Sequence, residues 1–254
     1  MNFRWQYVNM AYASGVMAVA VTQTGEAGYS LYIPSDHALH LYDRIMTVRS
    51  ILRYTISALT QAISISFQVG KTYGIMNVGH LAMRFLRIEK FIPFWGEELT
   101  SETTPFEVGR TFKVKLDKAA DFIGKEALLG QKESGVTRRL VQFQLKDFNK
   151  DRDYWPSGGE AVYRNGEFVG YVTNSAYGFS LLKMICLGFV QHPESITGTA
   201  RTIDNAWLLD RSAEWEINIA GRMVRLNFQM YFILSFDLQR CGVPPRGVMQ
   251  EGES

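Results

Sequence analysis

What the chain lacks narrows its reading before any motif does. It holds two cysteines, Cys186 and Cys241, and no Asn-x-Ser/Thr acceptor site in 254 residues. Secreted domains of modest size lean on cysteine frameworks, so a reducing interior compartment is expected rather than export. Cys186 lies in the apolar run Met184–Val190 and reads as a buried thiol. Charge of one sign is also scarce: a formal net charge of +2, with no concentrated Lys/Arg block, gives no electrostatic case for nucleic acid. No apolar run is long enough to span a bilayer, and Met1 is followed by neither a secretory signal nor an Arg-rich presequence. His37 and His40 share helical spacing, but no further ligands adjoin them, so no metal is expected there. Gly70-Lys71-Thr72 has Ile65 where a phosphate loop needs glycine, which excludes that chemistry.

What is present is an ordinary globular balance, 46% hydrophobic and 20% charged, long enough for one large or two ordinary domains. The chain opens at once on apolar and aromatic residues from Phe3 to Val21, as expected of a fragment whose true N-terminus lies upstream. Residues 5–23 read as one or two strands with a turn at Gly15. Thr24-Gly25-Glu26-Ala27-Gly28 then sets a lone carboxylate between two glycines, ahead of the alternating Tyr29, Leu31, Ile33. A carboxylate at such a strand mouth can accept paired hydrogen bonds from the amide-amine edge of a heterocycle such as a pterin. The alternative is a solvated surface turn. From Ser35, the spacing of Ala38, Leu41, Tyr42 and Ile45 predicts a helix capped by Ser35 or Asp36. A second helix is predicted over 76–92, then loops marked by Pro93, Gly96 and Pro105, and a further helix after Asp121–Gly124.

Beyond about residue 135, strands dominate. Leu140–Leu145 alternates, Gly159–Gly170 reads as a hairpin closed by Asn165-Gly166, and strands continue through Val172, Ile185–Val190 and Glu214–Ile219. Short strands at this spacing predict a small second domain of β-barrel type.

Several of these pieces, taken in order, carry a resemblance. Thr24–Tyr29, Leu86-Arg87-Ile88-Glu89-Lys90, Thr103–Glu107 and Phe122–Leu128 resemble the folate-binding aminomethyltransferase (glycine-cleavage T-protein) superfamily, and the Tyr163–Val172 hairpin, Val172–Tyr177 and Cys186–Val190 resemble its C-terminal barrel. The likeness covers roughly residues 5–222. Leu31–Pro34, Leu86–Phe91, Phe94-Trp95-Gly96 and Val162–Gly166 are most similar to the branch of regulatory subunits of mitochondrial pyruvate dehydrogenase phosphatase, with dimethylglycine and sarcosine dehydrogenases next.

The resemblance implies an α+β fold: a partial aminomethyltransferase folate-binding domain over 1–135, a small C-terminal β-barrel domain over 136–228, and a non-homologous tail over 229–254. It implies tetrahydrofolate as ligand, held by Glu26 against the pterin ring, with Arg87 and Tyr177 in motifs lining the same cavity. Structural roles stay open for both: Arg87 pairing a carboxylate to fix the chain, Tyr177 packing in the core. FAD would enter only through an N-terminal domain outside this chain, since no Gly-x-Gly-x-x-Gly unit is present. T-proteins typically carry Arg-Asp where Met83-Arg84 stand, a departure that counts against folate binding here. The superfamily's catalytic aspartate would fall ahead of Met1, so no catalytic residue is expected. The implied partner is the catalytic subunit of the phosphatase, in the mitochondrial matrix.

Relatives run straight from the equivalent of Ile45–Thr47 to Val69–Lys71. Ile51, Tyr54, Ile56 and Leu59 roughly keep helical spacing, so Val48–Gln68 could extend the preceding helix. The join in relatives instead has it read as a translated retained intron, and the tail after about Arg225 as a similar misjoin. Transcripts that uniformly carry both segments, without splice-site sequence at their edges, would refute that origin.

Overall fold

A computed structural model describes residues 5–21, 23–25, 28–46 and 76–229. The suspected insertion 48–68 lies outside the described residues, as does the tail from 230 onward. The chain divides into two compact units, 1–83 and 84–254.

In the first unit, strands β1 (Trp5–Met10), β2 (Ala13–Ala20) and β3 (Tyr29–Tyr32) form an antiparallel sheet in that order, followed by helix α1 (Ser35–Met46). The turn expected at Gly15 lies instead at Ala11-Tyr12, whose φ angles of 47° and 69° are both left-handed. A two-residue hairpin needs that conformation to match the twist of its strands. Val8 pairs with Val16 but Met10 with Ala13, so β2 carries an extra residue, and Gly15 at φ 72° sits in that bulge. Glycine was thus marking a bulge and not the reversal. The pairings Trp5↔Val19, Tyr7↔Met17 and Met17↔Tyr32 put the aromatics on one face, and Trp5, Tyr7 and Tyr32 are exposed. The other face carries Val8, Val16 and Leu31, which cluster with Leu41 and Ile45 of α1. His40 of α1 shares a 2.8 Å hydrogen bond with the Ala11 carbonyl.

Helix α2 (His80–Glu89) carries the division between the units and is shorter than the predicted 76–92. Its end is set just ahead of Pro93: Phe91 takes φ 53°, and the residue before a proline is steered away from the helical region. After α3 (Lys125–Ser134), the chain forms six antiparallel strands, β4 (Arg138–Leu145), β5 (Ala161–Arg164), β6 (Glu167–Gly178), β7 (Lys183–Gln191), β8 (Trp215–Ile219) and β9 (Arg222–Gln229). They close into a barrel in the order β4-β7-β6-β5-β8-β9, with β9 pairing back on β4. Asn165 and Gly166, at φ 51° and 80°, make the predicted hairpin turn. Two short helices, α4 (Pro193–Ile196) and α5 (Asn205–Leu209), join β7 to β8. Strand β9 runs from Arg222 to Gln229, past the point near Arg225 at which the tail reads as a misjoin from sequence. Leu226 is buried in the barrel core and Phe228 packs against it, so the barrel claims those residues.

Alternation explains both faces of the barrel wall. Val141, Phe143 and Leu145 of β4 point inward with Val162, Met184, Cys186 and Ile217. Phe143 sits 5.4 Å from the Trp215 ring and 5.6 Å from Phe228. Leu140, Ile185 and Leu187 point outward and are covered by Ile88 and Phe91 from α2 and the chain beyond it. Burial on both sides is why β7 reads as an apolar run, whereas β4 keeps its alternation through Gln142 and Gln144. Each large side chain so enclosed contributes about 1.5–3 kcal/mol. Burial also pushes the Cys186 thiol well above its usual pKa, which keeps it protonated.

Between β6 and β7 the strands approach so closely that side chains are excluded on both. A Cβ on Gly170 would lie 2.0 Å from the Phe189 carbonyl oxygen, and one on Gly188 2.6 Å from that of Tyr171. The ladder shifts register here, between Val172 and Asn174.

Candidate functional site

Of the three residues expected to hold a ligand, Glu26 lies outside the described residues. Its frame is visible: Gly25 takes φ 80°, and the Val21 N–H donates to the Gly28 carbonyl at 3.2 Å just before β3. Gly28 serves by size rather than φ, since a Cβ there would press on the Val21 oxygen at 3.2 Å.

Arg87 is placed by α2 on the face that meets the barrel, and only 2% of it is exposed. Both terminal nitrogens of its guanidinium are engaged. Nη1 donates to Glu98 at 2.9 Å and to the Ile92 carbonyl at 3.0 Å, and Nη2 donates to Glu97. Glu98 is completely buried and also accepts from the Phe94 amide at 2.9 Å and from Asn174 Nδ2 at 3.1 Å. Asn174 of β6 ties the cluster to the barrel: Nδ2 donates to both carboxylates, and Oδ1 accepts from Arg84 Nη2. Two guanidiniums and two carboxylates balance, which is the condition for burying such charges without large cost. One atom is left over, since Arg84 Nε is buried without a partner.

Tyr177, near the end of β6, is 9% exposed and belongs to a different cluster. Its ring lies 5.2 Å from Phe179 and 6.3 Å from Trp155, and Phe85 of α2 approaches both of those, at 6.3 and 6.2 Å. Trp155 and Phe179 are substantially exposed. The loop bearing Trp155 is built rather than loose. Its indole N–H donates to the Lys150 carbonyl at 2.8 Å, the Asn149 amide donates to Asp153 at 2.7 Å, and Ser175 Oγ donates to the Pro156 carbonyl. The result is an aromatic shelf on which a planar ring can stack. The bonds of Arg87 and the ring contacts of Tyr177 share no residue, so the structure sets these two in neighbouring clusters rather than in one contact set.

Sequence reasoning missed Phe85, Trp155 and Phe179 in the shelf, and Glu97, Glu98 and Asn174 in the charge cluster. The adjacent acids after Trp95-Gly96 and the Tyr154-Trp155-Pro156 triplet were the available signals.

Residues 1–118 match the model of the GCVT N-terminal domain, and residues 138–229 match that of the glycine cleavage T-protein C-terminal barrel domain. Over 229 residues the chain is 40% identical to the mitochondrial pyruvate dehydrogenase phosphatase regulatory subunit of Mus musculus, a match covering 90% of this chain and 24% of that protein. It is 36% identical over 175 residues to the mitochondrial dimethylglycine dehydrogenase of Homo sapiens, covering 69% of this chain and 17% of that protein. An aminomethyltransferase of Alkaliphilus metalliredigens (strain QYMF) is 34% identical over 168 residues, covering 66% and 38%. The crystal structure of the glycine cleavage system aminomethyltransferase T from Bartonella henselae shares the fold, with a TM-score of 0.59 at 20% identity over 85% of this chain and 49% of that one. The chain thus spans a quarter or less of the two mitochondrial relatives. With one family match over the sheet unit and α2, and the other over the closed barrel, the chain belongs to the glycine cleavage T-protein family.

Proposed function

We propose that this chain is part of a regulatory subunit of mitochondrial pyruvate dehydrogenase phosphatase, carrying a folate-type pocket without catalysis of its own. The observation that carries the reading is the 40% identity to the mouse regulatory subunit across 90% of the chain. Its partner is then the catalytic subunit of the phosphatase, and its place the mitochondrial matrix. The domain division follows the same reading, an aminomethyltransferase-type domain to about residue 135 and the barrel beyond it.

The residues present fit tetrahydrofolate. Trp155 and Phe179 offer exposed ring faces to a flat heterocycle, backed by the buried Tyr177, and Arg84, with its unsatisfied Nε, supplies positive charge in the adjoining cluster. Glu26 takes the pterin edge. Arg87 acts one step back, by holding Glu97 and Glu98 in place. When bound, the folate supplies the amine nitrogens that carry a one-carbon unit. Arg84 stands where T-proteins typically carry aspartate, a departure from the family's pattern that counts against retained folate binding and that titration with tetrahydrofolate tests. The second reading is the tetrahydrofolate-binding half of a dimethylglycine or sarcosine dehydrogenase-like flavoenzyme, favoured by the 36% identity to the human dehydrogenase.

Adding the chain to the phosphatase catalytic subunit should shift its activity and give a stable complex on gel filtration. No complex, together with flavin-linked turnover of dimethylglycine by the full-length protein, would establish the second reading instead. Tetrahydrofolate titrated against the chain should bind at least tenfold less tightly to Glu26→Ala and to Tyr177→Ala. Equal binding by all three would remove both residues from the pocket.

A further inference from the structure

The β5–β6 hairpin closes on two opposite charges that do not meet. Arg164 and Glu167 stand directly across the ladder, a position where opposite charges ordinarily attract. The guanidinium turns elsewhere. Its Nη2 donates to the Trp207 carbonyl at 3.2 Å and to Asp210 at 3.0 Å, and its central carbon lies 4.6 Å from the Trp207 ring and 5.7 Å from that of Trp215. Stacking and these two bonds hold the group, and Nη1 takes no part in them. Glu167 is exposed and forms no ion pair among the described residues.

Both side chains line a cavity of about 190 Å³, together with His192, Glu194, Arg201 and Trp207. That is space for roughly six waters at their liquid volume, enough for one small solute. His192 is 5% exposed, its ring packs 4.3 Å from that of Trp207, and its ring nitrogens have no hydrogen-bond partner among the described residues. Burial and the nearby Arg201 guanidinium hold its pKa below the usual value, so the ring is neutral at pH 7. At the rim, Arg201 and Glu194 neutralise one another at 2.9 Å.

The accounting of charge then selects a ligand. One guanidinium edge and one carboxylate remain unengaged in the lining of the same cavity. A simple anion would leave Glu167 facing its charge, and a simple cation would face Arg164. The geometry points to a binding site for a small zwitterion, with a carboxylate received by Arg164 and an ammonium group by Glu167, as a free α-amino acid presents them. The neutral His192 adds one donor and one acceptor to the cavity lining. The site lies within the barrel and depends on neither the phosphatase nor the folate reading.

The test is calorimetric titration of the full chain with a set of free α-amino acids and inorganic phosphate. The best binder is then compared with the acid lacking its amine and the amine lacking its carboxylate. The amino acid should bind at least tenfold more tightly than either truncated analogue. Glu167→Gln, an exposed substitution, should remove the advantage of the amino acid over the acid, while binding of the acid is not weakened and the thermal unfolding midpoint is unchanged. Phosphate or the acid binding as tightly as the amino acid would make this an anion site and overturn the assignment. So would undiminished binding by Glu167→Gln, or no amino-acid binding by protein that unfolds cooperatively.

Discussion

The barrel and the three-stranded sheet are both antiparallel and of similar chemistry, yet they solve the burial problem very differently. Among the described residues, the barrel's inner cluster holds sixteen buried side chains, whereas the sheet's cluster on α1 has three, Ala13, Val16 and Leu41. At about 1.5–3 kcal/mol for each large apolar group, the barrel interior alone outweighs the sheet cluster several-fold. Closure adds to the contrast, because β9 pairing with β4 leaves the barrel no free edge, while among the described residues β1 and β3 are both edges in the sheet. The lesson is that stability in this chain is concentrated in the barrel, and the sheet keeps a face of exposed aromatics, Trp5, Tyr7 and Tyr32.

The largest test of that contrast is a matched pair of truncations. Phe143→Ala should cost about 3–5 kcal/mol in denaturant unfolding and release amide protection across all six barrel strands. Leu41→Ala should release protection in β1–β3 and α1 while the barrel amides keep theirs. Joint loss of protection in both units would show one cooperative body and end the comparison. Arg87→Met comes next, at about 3–5 kcal/mol, because it strands the buried carboxylate of Glu98 rather than merely losing a contact. The double variant with Glu98→Gln should recover part of that loss, and no recovery would mean that the charge was not the cause. The smallest effect concerns pH. The folded-state pKa of His192 is lowered by burial, so the unfolded chain binds the proton more readily between that value and the usual one of about 6.5. The stabilisation is complete above that usual value and is lost as pH falls through the window below it. His192→Gln should flatten this slope in the barrel's unfolding, and an unchanged slope would locate the titration elsewhere.

The readable parts of the fold were those written locally. Asn165-Gly166 carries the conformational demand of its turn in its own residue types, and the alternation of Leu140–Leu145 carries the two faces of β4. The misplaced hairpin turn fell where no local signal exists. Ala11 and Tyr12 adopt left-handed angles that their side chains disfavour, and only the pairing of the flanking strands imposes them. The candidate site was half legible for the same reason. Arg87 and Tyr177 stand in recognisable motifs, but what surrounds each comes from α2, β6 and the loop before β5, brought together by barrel closure. Asn174 touches groups 76 and 77 positions away, a separation at which no spacing rule operates.

The two glycines of the β6–β7 seam act as a check on assembly as well as a close fit. Gly170 and Gly188 each face a backbone oxygen of the opposite strand where even a methyl group would collide. Were the strands to pair one residue out of step, Val169 or Tyr171 would meet the first collision, and Leu187 or Phe189 the second. The misregistered ladder is rejected by its own side chains, so the correct alignment of the barrel's longest strand pair is selected by two positions that carry none.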